Sequence, residues 1–373
     1  MRVALADPAA FTPQYDHELA AALARAGHQV DLVTSHFRFG EIPAADGYRR
    51  DEAFYPLSSR LFRRSKLRLP VKAAEHPLGM RHLARASARA DVLHLQWLAW
   101  PQLDERLLGA PGFGALRGLS GGGRTPVVFT AHDLLPRRSA ARAAMWQRLL
   151  KGFDRVVVHS ERGRSTLAGL GVPEERLRVI PHPVFPSSPV LAPDPGRRLL
   201  CLGVIRPYKG LLDAIAAAKQ VPGARLVVAG DPMEPIDHYR EAAGDGDLVE
   251  WKLGYLSDAE IDATLAETAV ALFPYRAELD QSGALLRALG AGVPAVVYDV
   301  GGLGDPIRAY GAGRVVEPGD VKGFARAIRE LVVGGDALAA AREGAARART
   351  ELTWEASARA HIAVYEELLG GQR

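Results

Sequence analysis

One cysteine in 373 residues rules out an intrachain disulfide. Cys201 lies inside the apolar run LLCLGV, where a thiol is expected as buried packing and not as a nucleophile. No apolar run reaches the roughly 18 residues a membrane-spanning helix needs. The chain opens directly on the short stretch MRVALAD, without a charged leader and a long apolar core. A soluble, cytoplasmic protein is therefore expected. The histidines lack metal-ligand spacing, so no metal is expected. GxGxxG and Walker A patterns are missing too, which disfavours a nicotinamide enzyme or a P-loop kinase.

Acidic residues are scarce in the first half. The formal charge of +4 conceals +10 over residues 1–190 and −6 over residues 191–373. The basic half should meet something anionic. Arg60, Arg63, Arg64, Lys66, Arg68 and Lys72 occur with no acid between Ala53 and Ala74, interleaved with Leu61, Phe62, Leu67 and Leu69. A peripheral membrane contact or an anionic acceptor fits this composition; a solvated basic helix or loop is the plainer reading. Nucleic acid is disfavoured, because no binding motif accompanies the charge.

A chain this long, with 48% hydrophobic residues, can fill two cores. Apolar runs suited to strands (RVALAD, HQVDLVTS, DVLHLQW, TPVVFTAHD, DRVVVHS, RLRVIPH) alternate with helical stretches such as Asp16 to Ala26, with a long Pro- and Arg-rich connection after the second. RRLLCLGV, ARLVVAG, DLVEWKLG, VALFPY and PAVVYD repeat the scheme, with helices expected at Leu211 to Lys219, Asp258 to Glu267 and Val321 to Val333. Alternation of this kind implies parallel sheets. PHPVFPSSPVLAPDPG, with six prolines, reads as the connection between halves. The expected fold class is α/β: two Rossmann-like parallel-sheet domains facing a cleft, residues 1–187 and 198–352 with a linker at 188–197. A terminal helix, 353–373, joins the first domain and packs back across both. His159 and His182 are expected in the cleft wall, or as core or hinge histidines.

Val270 to Gly304 reads as one strand, helix, strand unit. Ser282 can cap the helix, Gly283 lets a ligand approach the backbone, and Gly292 with Pro294 stops it. Such a helix start beside a strand end suits a phosphate, and equally suits an ordinary capped helix. IRPYKG places Arg206 and Lys209 in a loop directly before another helix, where two cations could neutralise a diphosphate. AHDLLPRR carries His132 and Asp133 out of a buried strand, as a hydrogen-bond donor and the group that orients it.

Taken in order, AHD, VVVHSE, RVIPHPV, GVIRPYKG, VVAG, GYLSD, LFPY, SGALLRALGAGVPAVV and VGGL resemble the retaining glycosyltransferases of family 4, which have the GT-B fold. The resemblance spans almost the whole chain. It implies a hexosyl transferase with a UDP-, GDP- or dTDP-sugar co-substrate bound mainly by the C-terminal domain and no cofactor. The acceptor, a glycan, lipid-linked or small-molecule hydroxyl, would be held mainly by the N-terminal domain. On this resemblance His132, Arg206 and Lys209 are catalytic, and Gly203, Ser282 and Gly283 contact sugar or phosphate. Tyr255 and Leu256 meet the base.

The departures are specific. Where many relatives carry two glutamates eight positions apart, this chain has Leu279 and Arg287; Glu278 or Asp280 could replace the first, and Arg287 could meet phosphate or form a structural ion pair. Val204 stands where an arginine usually follows the glycine. PAAFTPQYD replaces a glycine-rich loop, so Tyr15 and Asp16 are candidates for the acceptor side with Asp133, Asp16 being equally a helix cap. A catalytically silent nucleotide-binding GT-B protein is the alternative to the transferase, and a nucleotide-sugar epimerase a weaker third.

Overall fold

The protein is described by a computed structural model covering residues 1–61, 66–109, 125–134, 140–187, 189–276, 280–333 and 335–371. It divides into two units, residues 1–181 with 354–373, and residues 182–353.

The first unit is built on seven described strands: β1 (Arg2–Asp7), β2 (Gln29–Ser35), β3 (Arg49–Phe54), β4 (Val92–Leu95), β5 (Val127–Thr130), β6 (Arg155–Val158) and β7 (Leu177–Val179). They form one parallel sheet in the order β3-β2-β1-β4-β5-β6-β7. Central strands are mostly apolar, as burial on both faces favours. The edge strand β3, RRDEAF, lies inside the connection read as irregular. Its charges fit a strand with one side in water, which is why no apolar alternation marks it. A helix, Arg68–Ser87, follows in the same connection in spite of Pro77 within it. Burial of Met80, Leu83 and Ala84 on its inner face offsets the lost backbone bond.

The terminal helix Trp354–Gly370 belongs to the first unit. Glu367 pairs with Arg155 and Arg178 (both 2.6 Å), and Glu355 with Arg25 (2.9 Å). Inside, the Tyr365 hydroxyl meets His94 Nδ1 at 2.7 Å, and Thr130 Oγ1 meets His94 Nε2 at 2.7 Å. His361 donates from Nδ1 to the Ser357 carbonyl (2.8 Å), while its Nε2 has no partner among the described residues. Burial holds both rings neutral, pulling His361 down to about 4 and His94 down as well.

This fixes a sign. In the unfolded chain a histidine takes a proton near pH 6.5, whereas folded His361 resists to about 4. The unfolded state therefore binds more protons in that window. Stability is complete above pH 6.5 and falls as pH drops toward 4, by about 3 kcal/mol for this group. His361→Phe should flatten the fall in melting temperature between neutral and mildly acid pH; an equally steep fall in the variant would place its origin elsewhere.

The second unit carries six described strands, β8 (Arg198–Leu202), β9 (Arg225–Gly230), β10 (Val249–Leu253), β11 (Val270–Phe273), β12 (Ala295–Tyr298) and β13 (Gly313–Val316). All are parallel, in the order β10-β9-β8-β11-β12-β13. Helices Leu211–Ala218, Asp258–Ala266, Gly283–Gly290 and Val321–Val333 lie where apolar spacing places them. The alanine-rich helix Gly335–Glu351 and the short edge strand β13 are additions. Residues 182–187 and much of the Pro-rich stretch are tied into this unit: Val184 N–H donates to the Leu352 carbonyl (2.9 Å), and Ala192 N–H to Ala266 (2.8 Å).

Candidate functional site

In each sheet the chain runs outward from a central strand, returns, and continues on the other side. The reversal lies between β1 and β4 in the first unit and between β8 and β11 in the second. Loops at the carboxyl ends of such neighbours diverge and leave a crevice, the usual ligand position in open parallel sheets. Each unit places its polar strand-end residues there.

In the first unit Asp7 ends β1, Gln96 and Trp97 follow β4, His132 and Asp133 follow β5, and His159 follows β6. His132 Nε2 lies 2.9 Å from Gln96 Oε1 and its Nδ1 3.4 Å from His159 Nε2. His159 donates its Nδ1 proton to the Ile180 carbonyl (2.9 Å), and His132 donates its own from Nε2 to Gln96 Oε1. Trp97 stacks on the His132 ring (5.4 Å, 14°), and Tyr15 meets it edge-on at 4.7 Å. The imidazole is thus fixed on its faces and at both nitrogens. Tyr15 is itself buried, touching His159 and Trp354.

Asp16 lies within the helix Pro13–Arg25, and Thr12 occupies the cap position. Its carboxyl is buried against that of Asp7. Asp7 accepts the backbone N–H groups of Ala9 (3.2 Å) and Thr12 (3.0 Å). Burial raises both carboxyls, and the Asp7 charge adds to it at Asp16, so Asp16 stands well above the ordinary carboxyl range and is the member of the pair that keeps its proton. Asp133 is half-buried at the same strand end.

In the second unit the loop after β8 turns at Gly203 (φ 102°), and Lys209 Nζ lies 3.0 Å from where a side-chain carbon at that glycine would stand. The same ammonium is 4.9 Å from the centre of the Tyr275 ring, beyond β11. The Tyr275 hydroxyl meets Ser282 Oγ at 3.0 Å, and Ser282 accepts from Leu285 N–H at 3.3 Å as the cap of Gly283–Gly290. Lys209, bare backbone at Gly203 and a capped helix start therefore meet at one crevice. Arg206 is exposed at its rim. Cys201 lines the wall; burial pushes its thiol up to about 12, against the weaker opposite pull of Lys209.

A rigid turn presents Lys209. Gly210 is left-handed (φ 68°), and a side-chain carbon there would meet the Pro274 carbonyl oxygen at 1.9 Å. Arg276 N–H donates to the Tyr208 carbonyl (2.7 Å), while its guanidinium makes a two-armed pair with Asp213, whose second partner is the Tyr298 hydroxyl (3.2 Å). Gly210→Ala should therefore cost about 2 kcal/mol or more, from the left-handed backbone and the collision together. Denaturant titration checks this, and an unchanged midpoint would show that the turn is not rigid.

Tyr255 is half exposed and Leu256 partly buried beside the capping box of Ser257 and Glu260. Asp280 is fully buried, its carbonyl accepting from Gly302 N–H at 3.0 Å. Glu278 and Leu279 lie outside the described residues. Arg287 makes an ion pair, its arms reaching Asp258 (2.9 Å) and Asp262 (3.1 Å), with Ser187 donating to Asp262 (2.7 Å). His182, buried, donates to the Pro183 carbonyl (2.7 Å). Gln96, Trp97, Tyr275 and Arg276 were not singled out from sequence; the one signal available was a polar or aromatic residue directly after an apolar strand.

Among the described residues no three His, Cys, Asp or Glu side chains converge as metal ligands. No described helix is long and apolar enough to cross a membrane.

Comparison with known proteins agrees with this geometry. The family model described as Glycosyltransferase Family 4 matches residues 14–187, and that described as Glycosyl transferases group 1 matches residues 196–333. No curated protein sequence matches the chain. Among solved structures, the chain is similar to sucrose-phosphate synthase from Thermosynechococcus elongatus, at 20% identity, with 100% of both chains covered and a TM-score of 0.75. It is similar also to Anabaena HepE in complex with UDP and glucose (16%, 100% of both chains, 0.69) and to WaaG, a glycosyltransferase of lipopolysaccharide biosynthesis (15%, 96% of this chain and 99% of that one, 0.66). Both halves match in order on the GT-B fold, and the chain belongs to the family-4-like glycosyltransferases.

Proposed function

We propose that the protein transfers a hexose from a nucleoside-diphosphate sugar to an acceptor hydroxyl with retention and without a metal ion. The observation that carries this is the Lys209 ammonium held over bare backbone at Gly203, beside the capped helix start at Ser282 and Gly283. A diphosphate fits there: the ammonium offsets its charge, the helix supplies N–H groups, and Arg206 closes from the rim as a fork.

The second unit is the donor domain in this reading, and the first unit, with the terminal helix, the acceptor domain. Tyr255 and Leu256 hold the base, and Arg287 braces the helix that follows them. Glu278 and Asp280 remain candidates for the sugar hydroxyls. HepE, with UDP and glucose bound, supports a uridine diphosphate donor ahead of GDP or dTDP. The bond from the anomeric carbon to the diphosphate breaks while the acceptor oxygen attacks from the same face, and the acceptor's proton passes to the departing diphosphate. Arg206 and Lys209 stabilise the growing charge, so no enzyme nucleophile is needed. His132 sits near the transferring sugar and phosphate, its ring held by Gln96, Trp97 and Tyr15. Tyr15, Asp16 and Asp133 shape the acceptor side, Tyr15 through His132 and Asp16 through Asp7.

Thermal stabilisation against UDP, GDP, dTDP and their sugars, with and without EDTA, tests this. Stabilisation follows RT ln(1 + [L]/Kd), about 2.7 kcal/mol at a hundredfold excess over Kd. A shift by one diphosphate, insensitive to EDTA, is expected. Loss of that shift in EDTA would refute metal independence, and an inverted anomer in the product would refute retention.

A further inference from the structure

The terminal helix Trp354–Gly370 is anchored by more than apolar contact. Its residues His361 and Tyr365, with His94 of β4 and Gln96 just beyond that strand, are all fully buried. Leucines there would hold the helix with no polar atom to satisfy, and a buried polar group costs free energy unless it finds a partner. Here the polar groups join end to end. The Tyr365 and Thr130 hydroxyls take the two nitrogens of His94, at 2.7 Å each, and the His361 ring lies 5.3 Å from it, centre to centre.

Gln96 continues the chain. Its amide nitrogen is 3.2 Å from His94 Nε2 and 3.5 Å from His94 Nδ1, so it stands over the face of a neutral ring and not beside one nitrogen. Its backbone N–H is fixed on the Ala6 carbonyl at 2.8 Å. With the N–H side of the amide turned to that face, the oxygen turns to His132, whose Nε2 lies 2.9 Å from it. An amide oxygen only accepts, so the proton of a neutral His132 belongs on Nε2. The competing form would place it on Nδ1, facing His159 Nε2 across 3.4 Å, a longer and weaker contact.

A second line of contact reaches the same ring. Trp354, the first residue of the helix, is buried and meets Tyr15 edge-on at 5.0 Å, as Tyr15 meets His132 at 4.7 Å.

We infer that the terminal helix is a positioning element for His132: the chain Tyr365, His94, Gln96 fixes the imidazole proton on Nε2, while Trp354 and Tyr15 fix the plane of the ring. Satisfied buried networks select one geometry among several. A histidine without such partners exchanges between two tautomers, and each presents a different nitrogen as donor. What this does for sugar transfer rests on the transferase reading, whereas the tautomer is measured without donor or acceptor.

The full chain, labelled with nitrogen-15 at histidine, reports each tautomer in long-range proton–nitrogen correlation spectra at about pH 8, where free imidazoles are neutral. His132→Asn identifies the His132 signals. In the wild type the Nε2–H form should outweigh the other about tenfold, the net value of one hydrogen bond. Gln96→Leu should reverse the ratio toward Nδ1–H. Tyr365→Phe, which removes only a hydroxyl, should bring it toward parity with the melting transition intact. Trp354→Leu should move the His132 ring protons, which lie against the Tyr15 ring, and leave the ratio as it is. An Nδ1–H form in the wild type, an unchanged ratio in folded Tyr365→Phe or unmoved ring protons in folded Trp354→Leu would overturn the inference. The expected tautomers in a protein that transfers no sugar would uphold the positioning and refute the transferase reading.

Discussion

Lys209→Ala is expected to lower sugar transfer by about 10²- to 10³-fold and to weaken donor binding, with the fold intact. The magnitude is that of removing one preorganised group from a developing anion. The turn carrying the side chain is held by Gly210 against Pro274 and by the Arg276–Asp213 pair, none of which involves the ammonium. Loss of the side chain therefore removes charge without releasing the backbone. Arg206→Gln should cost less, because that guanidinium is exposed and water screens it. Calorimetric titration with UDP and with the sugar donor, beside a melting curve, separates charge loss from unfolding. Undiminished donor affinity in a folded Lys209→Ala protein would remove this crevice from the donor site.

Asp7→Ala should destabilise the chain by about 1–3 kcal/mol, the cost of leaving buried hydrogen-bond donors without an acceptor. Two loop amides would lose their acceptor, and Asp16 would keep a buried carboxyl facing a gap. Asp16→Asn should act in the opposite sense. Its amide can still donate to Asp7, and the pH dependence gives the reason. Folded Asp16 keeps its proton well above 3.8, the value it has when free, so above that value the folded state binds more protons than the unfolded. Wild-type stability therefore falls as pH rises from about 3.8 to the raised folded value. The asparagine variant lacks this loss, and its melting temperature should exceed wild type at neutral pH, with the difference closing toward acid. A difference that stays constant with pH would mean that the two carboxyls share no proton. The slope is opposite in sign to that of His361, and the pair of variants separates the two.

Much of the chemistry was legible in local residue order. Apolar runs gave the central strands of both sheets, since a strand buried on both faces is mostly apolar along its length. Ser282 could be read as the cap of its helix, and it is. The edge strand β3 could not be read, because a strand open to water on one side tolerates RRDEAF. Nor could the helix Arg68–Ser87 be separated from an irregular basic stretch, because its prolines and arginines conceal an apolar face that only the packing of Met80 and Leu83 reveals. The sequence leaves Arg287 open between phosphate and ion pair; in the fold it pairs with Asp258 and Asp262, whose nearness depends on how two helices pack.

By itself the sequence determined that this is a parallel α/β chain with two sheets, that cations precede a helix at Arg206 and Lys209, and that His132 leaves a buried strand. These are local properties, carried by periodicity and by neighbours in the chain. Strand order, set by long-range backbone pairing, decided which strand ends share a crevice. That order brings Gln96, Trp97 and His159 onto His132, and sets Lys209 over Gly203 beside Tyr275. It also turns Asp16 inward onto Asp7, where burial converts an ordinary carboxylate into a held acid. His159 and Gln96 lie 27 and 36 positions from His132 in the chain, and no local spacing encodes such pairs.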